Sequence, residues 1–326
     1  MDVLGIDLAK LTFDATVLTS TGEQHYHAFP NTPEGFEALQ GWLTQHGVTQ
    51  LHACMEATNI YWEALANWLH AQGYTVSVVN PARIKGYAQA RMQRNKTDKL
   101  DSAVIASFCA TQRPTAWQPL SEAHQRLRAL VRHREDLLQT RLQQQNRLRD
   151  TTDALVRESL QAVLDALAKQ LEAVDRLIKE QVAAQAELRA NLELLTAIVG
   201  IGVLTAAKLL AEFADLEQYE SAKAAAADAG LTPAHFESGT SVRKRPKLSK
   251  IGKAGIRAAL YWPAITAMRC CPAFKAFAER LAARGKPKKV IIGAVMRKLV
   301  HIIYGVLKHR TPYDPTKVFG PTATST

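Results

Sequence analysis

VLGIDLAKLTFDATVLTSTGEQHYHAF, residues 3–29, breaks into three short runs, VLGID, TFDATVLTS and EQHYHAF, separated by turn residues such as Thr21-Gly22. Runs of this length and composition read as strands, and links this short let neighbours pair only antiparallel. An antiparallel meander is therefore expected. Next, TPEGFEALQGWLTQHG (32–47) has Thr32 as N-cap, Glu34 in the first turn and one apolar face, which is a helix signature. LHACMEA (51–57) reads as a buried strand, IYWEALANWLHAQG (60–73) as a helix closed by Gly73, and YTVSVVN (74–80) as a strand stopped by Pro81. A last helix lies within MQRNKTDKLDSAVIASF (92–108). The order βββαβαβα predicts a mixed sheet flanked by helices, with the later strands added through helical crossovers. This α/β domain is expected over residues 1–120.

The texture changes at Ser121. Residues 121–192 contain no Gly or Pro, and Leu160, Leu164, Leu167, Leu171, Val174 and Ile178 step by four and three, an a/d seam. A helical, coiled-coil segment is expected, paired with a helix of its own chain or of a second subunit, or packed as a plain amphipathic helix. Residues 193–326 read as a mainly α domain. In TAIVGIGVLTAAKLLAEF (196–213), Gly200 and Gly202 join two helical patterns, either as a helix-hairpin-helix-like element that offers backbone N–H groups to a phosphate, or as a tight packing turn. KKVIIGAVMRKLVHIIYGVLK (288–308) reads as a core helix.

Of 326 residues, 47% are apolar and 22% charged, and the longest apolar run is interrupted by Arg297 and Lys298, so no membrane span is expected. No basic leader with a cleavage site precedes the first strand, and Asp7 falls where an apolar leader core would lie, which predicts a cytoplasmic protein. Cys54, Cys109, Cys270 and Cys271 form no CxxC pair and are expected as reduced thiols. The net charge of +11 is unevenly spread: from Ser238 onward, 19 Lys and Arg face only Glu279 and Asp314, a net of +17, against −6 for residues 1–237. A basic region this concentrated is the footprint expected of a phosphate-backbone binder, the alternative being a solvated basic face with no partner. Arg243, Lys244, Arg245, Lys247, Lys250 and Lys253 are its densest part.

Against that background stand two adjacent carboxylates, Asp98 and Asp101. At i and i+3 they share a helix face, where their mutual repulsion calls for a cation. Magnesium is the natural ion, with manganese as its substitute, because both prefer hard oxygen ligands. Asp7, in the first strand, and Glu56, at the end of the fourth, can converge with them if those strands are neighbours. Taken singly, Asp98 also suits a helix cap and Asp101 an exposed surface charge.

GIDLAK (5–10), MEAT (55–58) and NKTDKLDSAVIA (95–106) match the acidic motifs of a RuvC-like, RNase H-fold domain with an Asp-Glu-Asp-Asp tetrad. GLTPAHFESGTSVRKRPKLSKIGKAGIRAALYWPA (230–264) matches the C-terminal domain of the same family. Over residues 3–313 the chain resembles transposases of bacterial insertion sequences, relatives of the pilin-gene invertase. The resemblance implies a DNA recombinase with donor and target DNA as substrates, guided by a structured noncoding RNA. It also implies that Ser238 is the nucleophile; in the residues alone, Thr240 and Ser241 share that loop equally. A serine hydroxyl needs its proton removed and the transition state neutralised, work for the acids with their metal and for the cations. With the two sites on either side of the helical segment, a composite site on a homo-oligomer, dimer or tetramer, is expected. The alternatives are a metal-dependent junction nuclease using water, and a non-catalytic nucleic-acid scaffold. No ATP-binding GxxxxGK[ST] motif is present.

Overall fold

The computed structural model describes the chain apart from residues 58–59, 92–96, 215, 217–218, 239–241 and 317–326; the side chains of 235–238 and 242–246 also lie outside the description. The chain forms two compact units, Met1–Pro119 and Leu120–Thr326.

In the first unit, β1 (Asp2–Leu8), β2 (Thr12–Leu18) and β3 (Gln24–Pro30) form the antiparallel meander, while β4 (Leu51–Glu56) and β5 (Thr75–Val79) add in parallel. The strand order is β3-β2-β1-β4-β5. Helix α1 (Pro33–Gln45) starts at Thr32, whose hydroxyl accepts from Gly35 N, and α2 (Trp62–Ala71) makes the crossover to β5. Phe13, Leu39, Leu43, Leu65 and Leu69 are fully buried in the core that these helices share with the sheet.

The structure adds α3 (Pro81–Ala90), a helix absent from the sequence reading. Asn80 caps it by accepting from Ala82 N at 2.9 Å, and Pro81 occupies its first turn, so the proline that stops β5 also starts the helix.

Helix α4 (Asp98–Gln112) lies directly on β1. Gly5 allows this approach: a Cβ there would fall inside the contact radius of Ala106 N and Ser102 O. A buried hydrogen bond of 2.8 Å between Thr16 and Ser102 hydroxyls ties the same helix to β2. Gly5→Val is accordingly expected to cost about 3 kcal/mol or more, because overpacking here meets backbone rather than a movable side chain. Chemical denaturation of the variant checks this; a loss under about 1 kcal/mol would mean that α4 shifts freely across the sheet.

In the second unit, α5 (Glu122–Asp150) and α6 (Ala154–Ala184) form an antiparallel hairpin. The seam finds its partner within the chain: Leu160, Leu164, Leu171, Val174 and Ile178 are buried, Leu167 half-buried, and Arg134 pairs with Asp175 across the hairpin. After α7 (Ala186–Thr196), α8 (Val203–Glu212) and α9 (Ala222–Asp228) come β6 (Pro233–Ser238) and β7 (Val242–Leu248), a hairpin where the sequence reading had a basic loop. Its second strand, VRKRPKL, lacks apolar alternation and contains Pro246, so it carries no strand signal of its own.

Helices α10 (Ala254–Cys270), α11 (Pro272–Ala283) and α12 (Lys288–His309) complete the unit. By length and apolarity α12 alone among the described residues is comparable to a membrane span, and packing accounts for that character: Val295, Leu299, Val300 and Ile303 are fully buried in the core. Cys54, Cys109, Cys270 and Cys271 are all free thiols.

Candidate functional site

Sheet register brings the acids of the first unit together. In the β1–β4 pairing Ile6 stands beside Met55, so Asp7 and Glu56 are the next residues along two neighbouring parallel strands. Gly5 and Cys54 pair on the face covered by α4, and side chains two residues further on share that face. Asp7 and Glu56 therefore point to the α4 side, at the strand ends where ligand sites of α/β sheets gather.

The β1–β2 register contributes one acid the sequence reading did not single out. Asp7 pairs directly with Asp14, and Thr16, two residues on, reaches α4 through Ser102. Asp14 therefore shares the face of Asp7. Tyr26 donates a hydrogen bond to Asp14; this bond, burial, and the charges of Asp14 and Asp98 push the phenol up to about 12. The charge of Asp98 is thus felt at Tyr26, and the Lys99 ammonium sits 5.3 Å from the Tyr26 ring centre.

Asp98 and Asp101 occupy the first turn of α4, with Asp98 exposed and Asp101 half-buried. The cap is Thr97, which accepts from Leu100 N at 3.3 Å, so the N-cap role considered for Asp98 belongs to its neighbour. Both carboxylates lie at the N-terminal end of α4, where the helix dipole is positive.

The donor set is carboxylate oxygen throughout, the chemistry that hard divalent ions select. Among the described residues, no three acidic, His or Cys side chains are close enough to enclose an ion, so the backbone supplies proximity while the side chains are not gathered.

In the second unit, Ser238 is the last residue of β6 and pairs with Val242, the first residue of β7. The side chains of Ser238, Arg243, Lys244 and Arg245 lie outside the described residues, as do Thr240 and Ser241. Lys247 and Lys250 are exposed, and Lys250 turns the chain with φ of 57°. Lys253 is drawn inward: its ammonium lies 3.6 Å from Asp228 and donates to Glu212 O and the Tyr219 hydroxyl. A phosphate would have to compete for it.

The two glycines of the helical turn divide their roles. Gly200, at φ of 95°, admits the Pro263 carbonyl of α10 to 2.6 Å from where a Cβ would stand, whereas Gly202 caps α8 with open space around it. Packing explains Gly200. Gly202 and Val203 leave the start of α8 exposed, and no side chain among the described residues caps it.

Comparison with known proteins finds matches in both units. Residues 4–156 match a family model described as Transposase, of the IS110 DEDD type, and residues 192–279 match one described as Transposase IS116/IS110/IS902 family. Pilin gene-inverting proteins of Moraxella lacunata and Moraxella bovis are 36% and 35% identical to the chain over 314 residues, covering 95% of it and 97% of each relative. A probable family 20 transposase of Pseudomonas aeruginosa is 25% identical, covering 96% of this chain and 98% of its own. The mixed sheet and the mostly helical remainder fit an RNase H-like transposase arrangement. With both models matched in chain order and such a relative aligned along nearly the full length, the chain belongs to the IS116/IS110/IS902 transposase family.

Proposed function

We propose that the chain recombines DNA by phosphoryl transfer through Ser238, with the acidic edge of the sheet as its divalent-metal site. The observation that supports this reading is the register that sets Asp7 beside Glu56 on the face covered by α4, the helix whose first turn carries Asp98 and Asp101. Those four carboxylates would hold magnesium or manganese. When bound, the ion supplies Lewis-acid polarisation of a phosphoryl oxygen.

The chain's own chemistry is then a displacement. The Ser238 oxygen forms a bond to phosphorus, the bond to the 3′ oxygen breaks, and the serine proton is passed through solvent to that leaving oxygen. One DNA end is left as a phosphoserine ester and the other as a free 3′-hydroxyl, so the energy of the cut bond is kept for rejoining. Guidance by a structured noncoding RNA and assembly as a dimer or tetramer belong to the same proposal, and both rest on the family.

The test is the fate of the cut 5′ end. DNA labelled at that end, incubated with the protein and magnesium, should carry its label onto protein in a denaturing gel, and chelation should prevent this. A free 5′-phosphate instead would assign the chemistry to water.

The cations of β7 have a separate role. Arg243→Gln, Lys244→Gln and Arg245→Gln together should weaken binding to unrelated DNA sequences alike and flatten the dependence of log affinity on log salt. The slope should fall by about 2.7, at about 0.9 per phosphate contact. An unchanged slope with altered target choice would show base reading instead.

A further inference from the structure

Helix α12 has a second feature besides its core face. Lys298, His301, Ile302, Gly305, Val306 and His309 follow one another at helical spacing along one side, and the chain beyond the helix returns over them at 311–314 to make a half-open cleft of about 260 Å³. Two polar atoms buried here, His301 Nε2 and Tyr313 Oη, find no nitrogen or oxygen partner among the described residues. The Cys271 thiol lies beside the phenol but is a weak partner. Such buried orphans are uncommon in folded proteins and call for an explanation.

Gly305 is the third anomaly. It sits inside a 22-residue helix, where glycine is unfavourable, yet nothing lies within 4 Å of where its Cβ would be. No close packing requires the glycine; it holds the floor of the cleft open.

The dimensions and chemistry narrow the occupant. A single bridging water is too small, since the space equals the share of about eight or nine waters. Among the described residues no metal-ligand set forms. An acyl chain would leave both polar atoms unsatisfied. A flat ring with apolar faces and a hydrogen-bonding edge suits walls of Ile302, Val306 and Pro312 with two polar atoms at one side. Burial and the charges of Arg297, Lys298 and Lys223 lower the pKa of His301, so its ring is neutral and offers a donor or an acceptor rather than a charge.

We propose that this cleft is a nucleobase site, taking one unpaired base of a DNA or RNA strand against Tyr313 Oη and His301 Nε2, with Lys298 and His309 beside its phosphate. The surrounding sequence is the strongly basic part of the chain. The inference requires only that the chain binds nucleic acid; a failure of the Ser238 chemistry leaves it standing.

The full-length protein is titrated with a duplex carrying one bulged nucleotide and with the same duplex made abasic at the bulge, each in DNA and in RNA. Wild type should prefer the base-bearing bulge. Tyr313→Phe should cut that preference about three- to tenfold, the worth of one neutral hydrogen bond, and Gly305→Leu, which fills the floor, should abolish it. Neither variant should melt earlier, since phenylalanine removes an unsatisfied hydroxyl and leucine is the better helix former. A preference in only one of the two nucleic acids assigns the site to that strand. Equal binding of base-bearing and abasic bulges by wild type, in both, overturns the proposal, as does a preference that survives Tyr313→Phe undiminished. That isosteric variant decides the matter even if Gly305→Leu fails to fold.

Discussion

Asp7→Asn should lower DNA cleavage and recombination by at least about two to three orders of magnitude, the scale of losing one electrostatic contact to a transition state. Folding should be spared. Asp7 faces Asp14 directly across the β1–β2 pair, and like charges so placed repel. Removing one charge while keeping the shape should therefore hold the metal-free stability within about 1 kcal/mol of wild type or raise it. Two measurements separate the site from the scaffold: chemical denaturation without metal, and magnesium titration by calorimetry. Wild-type recombination by Asp7→Asn would exclude that residue from the metal site, while a large loss of stability would make the position structural. Asp14→Asn is the informative companion. If Asp14 only neighbours the site, its variant keeps activity; a loss comparable to that of Asp7→Asn would make it a fifth member.

That Asp14 went unnoticed shows where reading residues in a line stops. Inside TFDATVLTS it is one more polar position in an alternating strand, and only the pairing register places it opposite Asp7. Asp98 and Asp101 were legible because a helix displays its own i, i+3 neighbours, and the strands of the meander because each carries its own composition. Relations between elements left no such mark. Gly5 looked like an ordinary strand residue until α4 was seen lying on it, and Lys253 looked like one more cation of the basic run until its ammonium was found against Asp228. Helix α3 is a different case, since Asn80-Pro81 is at once a strand stop and a helix start and the two signals coincide. The β6–β7 hairpin is hidden by composition: backbone pairing holds a strand in which four of seven residues are basic and one is proline.

The hairpin also frames the sharpest test of the chemistry. Ser238 ends β6, and Thr240 and Ser241 follow it closely in sequence. Chemistry has to choose among them. Ser238→Ala removes one oxygen and no charge, so binding of DNA and RNA and the salt slope should stay at wild-type values. Covalent attachment of the labelled 5′ end should disappear entirely, and recombinant product with it, because no other group restores an ester at that position. Ser238→Cys should keep at most a trace, since a thiolate is nucleophilic but its soft sulfur is a poor match for magnesium. In the wild type, proteolysis of the adduct should leave the label on a peptide containing Ser238. A label on Thr240 or Ser241 would keep the covalent route and move the nucleophile to that residue. Full magnesium-dependent cleavage by Ser238→Ala, with a free 5′-phosphate, would instead leave the acidic edge as the whole active site and water as the attacking group.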